Sequence, residues 1–153
     1  MTGRQSRDHA RSPLMPAAQA AQYAGMPPPA PHTEAEVRSL LARLTAPAAG
    51  ISTVAVGHSR DAASRAAAEA FTAAWQAGGG TVVAVVDWPE QAASWLRPAV
   101  RLTAQSPDAW VIAAAPLGWA QLSRRLRLST DWDPYRTFHF ASQEPDLDPR
   151  NRT

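Results

Sequence analysis

Residues 51–86 read ISTVAVGHSRDAASRAAAEAFTAAWQAGGGTVVAVV, and this stretch decides the fold. It opens with a short β-branched run, 51–57, which predicts a strand. Residues 61–76 follow with apolar side chains at helical spacing, and the glycines at 78–80 end that predicted helix. Residues 81–86 form a second run that is apolar on both faces, as expected of a parallel strand covered by helices. The stretch therefore predicts a right-handed β-α-β unit.

The alternation of helices and strands continues on both sides of this unit. Thr33 and Glu36 have the spacing of a capping box, which predicts a helix start. The other predicted elements are a helix beginning at 87–90 and kinked by Pro98, a strand at 109–115, a helix at 117–128 and a strand at 136–141. We therefore predict an α/β fold: a three-layer sandwich with a four-stranded, mostly parallel sheet in the order 2-1-3-4 and helices on both faces.

The ends of the chain differ in composition from this alternating part. Residues 1–32 are rich in Pro, Ala and Arg and finish in a proline run at 27–31, so we predict a disordered arm ending in a stiff stub. Residues 33–143 make up the predicted α/β domain. Residues 144–153 are polar and predict a flexible tail.

The composition excludes several classes of function. The chain has no Cys, and all of its 15 basic residues are Arg, so neither thiolate nor lysine chemistry is available. The four histidines lack metal-ligand spacing, and we expect no cofactor. Net charge is only +2, and we interpret the cluster Arg124, Arg125 and Arg127 as a solvated helix face rather than a nucleic-acid site.

The sequence predicts neither a membrane span nor an export signal. No apolar run approaches the roughly 20 residues that a membrane-spanning helix needs. Residues 13–24 come after Arg4 and Arg7, but prolines and glutamines interrupt this stretch, unlike the continuous apolar region of a secretory signal. We expect a cytoplasmic location, or an extracytoplasmic one if the chain is a fragment.

An ordered set of short motifs resembles one lobe of the type I periplasmic solute-binding proteins, the branched-chain amino-acid-binding type. The set consists of Thr53-Val54-Ala55-Val56, the helix ending in Trp75, Gly79-Gly80-Thr81-Val82-Val83 and Ser106-Pro107-Asp108-Ala109-Trp110-Val111-Ile112. The order and spacings match over residues 33–142. The resemblance implies a non-enzymatic binding module for an amino-acid-like solute, related to the substrate-binding proteins of ABC transporters and reduced or truncated to a single lobe.

The same resemblance implies which residues bind the ligand. In this family the second lobe contacts its ligand through the loops that follow the strands. The matching positions are His58, Ser59, Asp61, Pro116, Leu117, Trp119, Ser142 and Gln143. The implied partners are a small-molecule ligand and either a second copy of the chain or another chain that supplies the missing lobe.

Two interpretations remain open for the predicted loop 57–61. Ser59 and the amides of the following helix have the character of an anion site. Alternatively, Ser59 or Asp61 simply caps that helix. Catalysis is the least favoured hypothesis, because adjacent residues such as His58 and Ser59 rarely meet in the geometry of a serine–base pair. Asp87 is interpreted as the cap of the helix that follows it.

The six tryptophans separate into two groups. We expect Trp75, Trp95 and Trp110 in the core, and Trp88, Trp119 and Trp132 in or near loops, where exposed rings often mark an interface. The alternative function is therefore a protein-interaction scaffold that uses the α/β domain and its Pro-rich arm.

Overall fold

The computed structural model describes residues 15–140. That part of the chain contains five α-helices and four strands. In chain order they are α1 Ala17–Ala20, α2 Glu34–Leu44, β1 Thr53–Ser59, α3 Ala62–Ala77, β2 Thr81–Trp88, α4 Leu96–Thr103, β3 Ala109–Ala113, α5 Pro116–Ser129 and β4 Thr137–His139. The predicted helix start is confirmed, and Thr33 is its N-cap: the Thr33 hydroxyl accepts from the Glu36 amide at 3.1 Å.

The four strands form one parallel sheet in the order β2-β1-β3-β4, so the predicted fold is confirmed. Strand residues alternate between two apolar layers because successive side chains point to opposite faces. On one face α2 and α3 pack on Val54, Val56 and Val111. On the other, α4 and α5 pack on Ala55, Trp110 and Ile112. The helices therefore cover both faces.

Glycines make room for two tryptophans. A methyl group placed at Gly57 on β1 would lie 2.7 Å from the Trp88 ring, so only glycine lets this ring lie over the sheet. A methyl group at Gly80 would overlap the Trp75 ring, whose Nε1 donates to the Thr81 carbonyl at 3.0 Å. The Gly-Gly-x-Val-Val segment therefore has a packing role.

The predicted helix start at Asp87–Glu90 is wrong. Strand β2 continues through Trp88, residues 89–95 form a loop, and α4 begins only at Leu96. Pro98 consequently lies in the first turn, where no intrahelical hydrogen bond needs its amide, and it does not interrupt the helix. Asp87 is not a helix cap: its carboxylate pairs with Arg60 at 3.6 Å between two exposed side chains.

The inner face of α4 differs from the one that the sequence pattern predicts, which consists of Trp95, Leu96, Ala99, Val100 and Thr103. Trp95, Ala99 and Leu102 are buried, whereas Leu96 and Val100 are 41% and 47% exposed. The later helix start explains the difference, because the helix turns toward the sheet the stripe that begins at Trp95 and continues through Ala99 and Leu102.

Asp108 connects the beginnings of two neighbouring strands, β1 and β3. Its Oδ2 accepts from the Ser52 amide at 2.9 Å, the Ser52 hydroxyl at 3.0 Å and the Thr53 amide at 3.0 Å. The Asp108 amide in turn donates to the Thr53 carbonyl at 3.0 Å. The bonds from Ser52 and Thr53 lower the pKa of Asp108 to about 2. The Pro-Asp-Ala motif thus joins the start of β1 to that of β3.

The end of the proline run contacts the domain. Pro29, Ala30 and His32 lie beside the first turn of α3, and the His32 and Phe140 rings meet edge to face with centroids 6.2 Å apart. Residues 1–14 of the predicted arm, the tail 144–153 and the predicted end of the fourth strand at Ala141 lie outside the described residues.

Candidate functional site

The candidate site lies where the carboxyl ends of the parallel strands meet. Strand order reverses between β1 and β3, and the position beside such a reversal is the usual ligand position in open α/β sheets. Strand β1 extends two residues beyond the predicted end, so His58 and Ser59 belong to the strand. Their pairing with Asp87 and Trp88 explains the extension. Only Arg60 and Asp61 separate it from α3.

Ser59 joins the loops that follow β1 and β3. Its hydroxyl accepts from the Ala115 amide, which follows β3, at 2.8 Å and donates to a carboxylate oxygen of Asp61. The side chain is 1% exposed. Its hydroxyl proton is therefore already committed to Asp61, and the hydroxyl ties the loop after β1 to the loop after β3.

Asp61 caps α3, as one of the two interpretations of this loop expects. Its Oδ2 accepts from the Ser64 amide at 3.0 Å. Burial alone would raise the pKa of Asp61, but the hydrogen bonds from Ser59 and Ser64 outweigh it and lower this pKa below its usual value. Asp61 therefore carries its charge at the helix terminus, where the dipole favours an anion.

His58 does not approach the Ser59 hydroxyl. The two side chains point to opposite faces of the sheet, as neighbours in a strand must. The His58 ring is buried, and its Nδ1 donates to the Ser59 carbonyl at 2.8 Å, since a carbonyl can only accept. The structure thus separates the residues that a serine–histidine pair would require.

Pro116, Leu117 and Trp119 all lie in the first turn of α5. Pro116 is the first helical residue, where its missing amide costs no hydrogen bond. The Trp119 ring points into an aromatic cluster, with centroids 6.0 Å from Trp88, 5.8 Å from Trp132 and 5.5 Å from His139. Ser142 and Gln143 lie outside the described residues.

The expectation of exposed rings is wrong for two of the three tryptophans. Trp88 is 0% and Trp132 8% exposed, and only Trp119 remains partly exposed. Trp88 is buried because β2 runs on to include it, and Trp132 because the Arg127 guanidinium and Trp119 cover it. Trp75, Trp95 and Trp110 are buried as predicted.

Glu90 belongs to this edge, although its place in the sequence had suggested only a helix start. Its Oε2 accepts from the Gly118 amide at 3.0 Å, and its main-chain carbonyl accepts from Gln121 Nε2 at 2.9 Å. Burial raises the pKa of Glu90, the Gly118 bond opposes this rise, and the charge of Asp61 adds to it. Gly118 is the signal that could have indicated the contact, because a glycine in a helix often marks a close approach.

One small cavity lies near this edge. The cavity beside Pro29 and Phe140 measures about 10 Å³, roughly the room that one water molecule requires. A larger groove of about 520 Å³ lies at the opposite, amino-terminal end of the strands, between α4 and α5. Asp108 and Trp110 contribute to its lining together with Asp131 and Arg136.

Residues 15–140 contain no cluster of three or more acidic or histidine side chains able to hold a metal ion. None of the helices in this range is both long enough and apolar enough to cross a bilayer. Fold and site together define a parallel α/β domain whose polar groups gather at the carboxyl edge. The chain matches no protein-family model and no curated protein.

Proposed function

We propose that the domain is a non-enzymatic binding module for a small, amino-acid-like solute, related to the substrate-binding proteins of ABC transporters and reduced or truncated to one lobe. One observation carries the proposal. The loops after β1, β2 and β3 bring Asp61, Glu90 and the Gly118 amide to the same edge, at the reversal of strand order. Ligands of open α/β sheets bind in this position.

The described groups favour binding over catalysis. The Ser59 hydroxyl is engaged as donor and acceptor, and the His58 ring lies on the opposite face of the sheet. An amino acid carries a cationic and an anionic group, and this edge offers carboxylates for the first and helix amides for the second. A second copy of the chain or a partner chain would cover the solute, because the nearby cavity beside Phe140, of about 10 Å³, is too small to enclose it.

Thermal unfolding of the full chain with a panel of amino acids and nucleotides tests this proposal. A ligand present at 100 times its Kd stabilises the folded state by about 2.7 kcal/mol, a clear rise in melting temperature. The Gly118→Ala variant should lose the response, because a methyl group there would lie 3.0 Å from Glu90 Oε1. Gly78→Ala is the matched control, since its nearest neighbours are 3.6 Å away. No response to any amino acid would refute the proposal.

A second candidate is a protein-interaction scaffold, which the position of the proline run favours. Pro29 and His32 rest on the domain, while Met26 is 53% exposed and Pro27 and Pro28 are exposed. An anchored, extended proline segment is preorganised for binding. Light scattering of the full chain should then show a dimer that the double change Pro27→Ala and Pro28→Ala weakens; an unchanged dimer, or a monomer, would exclude this use of the run.

A further inference from the structure

The loop 89–95 is held at both ends by buried rings. Trp88 ends β2 and Trp95 precedes α4, and both are 0% exposed. Between them Glu90 reaches across to α5, where its carboxylate and its carbonyl accept hydrogen bonds from Gly118 and Gln121. The loop therefore holds a carboxylate against the first turn of a neighbouring helix.

The first turn of α5 is suited to an anion. The helix has 14 residues, and its first position is Pro116, which has no amide. The amides of the next two residues have no intrahelical acceptor by geometry, and they point out of the helix end with the positive end of its dipole. Glu90 Oε2 takes the Gly118 amide at 3.0 Å.

Glu90 satisfies this position only in part. Its Oε1 is buried and has no hydrogen-bond partner among residues 15–140. The Nε1 donor of Trp88, a fully buried side chain, likewise has no hydrogen-bond partner within the described residues. Both side chains border Gly118: a methyl group placed there would lie 3.0 Å from Glu90 Oε1 and 3.2 Å from Trp88 Cδ1, the atom bonded to Nε1.

An acceptor without a donor and a donor without an acceptor thus lie beside the same glycine. A buried polar group that lacks its hydrogen bond destabilises the folded state, because it has lost its bonds to water without replacement. The nearby charge of Asp61 further disfavours the carboxylate of Glu90. A carboxylate that is not tethered to this loop can take the Gly118 amide and the Trp88 indole together.

We propose that Glu90 occupies, as an internal substitute, an anion site formed by the Gly118 amide and the Trp88 indole, and that the carboxylate of an external ligand displaces it. The inference rests on the proposed solute site and narrows its ligand to molecules with a free carboxylate. Displacement frees Glu90 to move with its loop, while Trp88 and Trp95 keep the loop attached.

The test compares the full chain with the variant Glu90→Ala, using sodium acetate against sodium chloride at equal ionic strength. Amide NMR reports on the site directly through the Gly118 amide and the Trp88 indole signals. In Glu90→Ala both signals should shift saturably at an acetate concentration at least tenfold lower than in the unmodified chain. Glu69→Ala removes the same charge from an exposed position of α3 and should behave as the unmodified chain does. Equal responses in the two variants, or no saturable shift in Glu90→Ala, would overturn the proposal.

Glu90→Gln keeps the fold testable if the alanine variant is unstable. It retains an acceptor for Gly118 without the charge, so acetate should again bind at lower concentration than in the unmodified chain, and an identical response would refute displacement. Acetate binding with no response to amino acids would leave the anion site standing and remove the proposed solute. Amino-acid binding that Glu90→Gln leaves unaffected would support the proposed solute and remove the anion site.

Discussion

Replacing Asp108 by Asn should weaken the junction between β1 and β3 through the loss of one charge. The carboxylate accepts three hydrogen bonds from Ser52 and Thr53, which lower its pKa from 3.8 to about 2. A tenfold change in proton affinity corresponds to about 1.36 kcal/mol, which sets a ceiling of about 2.4 kcal/mol. Asp108 is only partly buried, so solvent screening reduces this to about 1 kcal/mol. Asp108→Ala also removes the acceptors and should cost about 2–3 kcal/mol.

The pH dependence provides the sharper check. A carboxyl whose pKa is lower in the folded than in the unfolded state stabilises the fold above the unfolded value, and this contribution disappears as pH falls through the folded value. The gap between the unmodified chain and Asp108→Asn should therefore be full at pH 5–7 and vanish between about pH 4 and 2. Urea unfolding followed by tryptophan fluorescence measures it.

Asp131→Asn is the matched control, since Asp131 is exposed beside the same groove. It should change the free energy of unfolding by less than about 0.5 kcal/mol. The reasoning would be refuted if Asp108→Asn cost no more than this control, or if its deficit stayed constant down to pH 2.

Three further changes test the packing and the site. Gly80→Ala should lower the free energy of unfolding by about 1–3 kcal/mol, because its methyl group would overlap the Trp75 ring. Ser59→Ala should lower it by about 1–3 kcal/mol in urea unfolding, because the Ala115 amide loses its acceptor. The pKa of Glu90 is higher in the folded than in the unfolded state, so its contribution to stability is largest below the unfolded-state pKa and is lost as pH rises through the folded-state pKa. The unmodified chain should therefore become more stable relative to Glu90→Gln as pH falls.

Each of these changes has a matched control. Gly78→Ala has ordinary contact distances, and its melting temperature should stay close to that of the unmodified chain. Ser39→Ala removes an exposed hydroxyl and should be nearly neutral. Glu69→Gln removes the same charge at an exposed position and is the control for Glu90→Gln. A deficit shared by a variant and its control would remove the structural explanation given for that variant.

The fold was predictable because its signals are local and agree with one another. Strands β1 and β2 were predicted from the apolar runs before Gly57 and after Gly80, and the start of α2 from the spacing of Thr33 and Glu36. The rule of right-handed crossovers then predicted the order of the strands. The prediction failed at residues 87–98. Asp87 and Pro89 looked like a helix start, but pairing with β1 carries β2 on through Trp88, and Pro98 is tolerated once α4 begins at Leu96.

The sequence predicted the location of the candidate site but not the contacts within it. Sequence placed Ser59, Asp61 and Pro116 at the carboxyl edge of the sheet, which follows from parallel strands alone. It could not show that the Ser59 hydroxyl joins two loops 56 residues apart, and it left open whether Ser59 or Asp61 caps α3. Glu90 was missed because its contact with Gly118 spans 28 residues and leaves no local pattern.

The sequence by itself determined the alternation of elements, the parallel sheet and the two apolar layers, because periodicity and turn residues act over a few positions. Only the tertiary structure decided which polar groups meet at the carboxyl edge and which rings are buried. These outcomes depend on distances between segments far apart in the chain. Once the sheet has brought those segments together, Ser59 can bond to Ala115, Glu90 can bond to Gly118, and Trp88 is buried over Gly57.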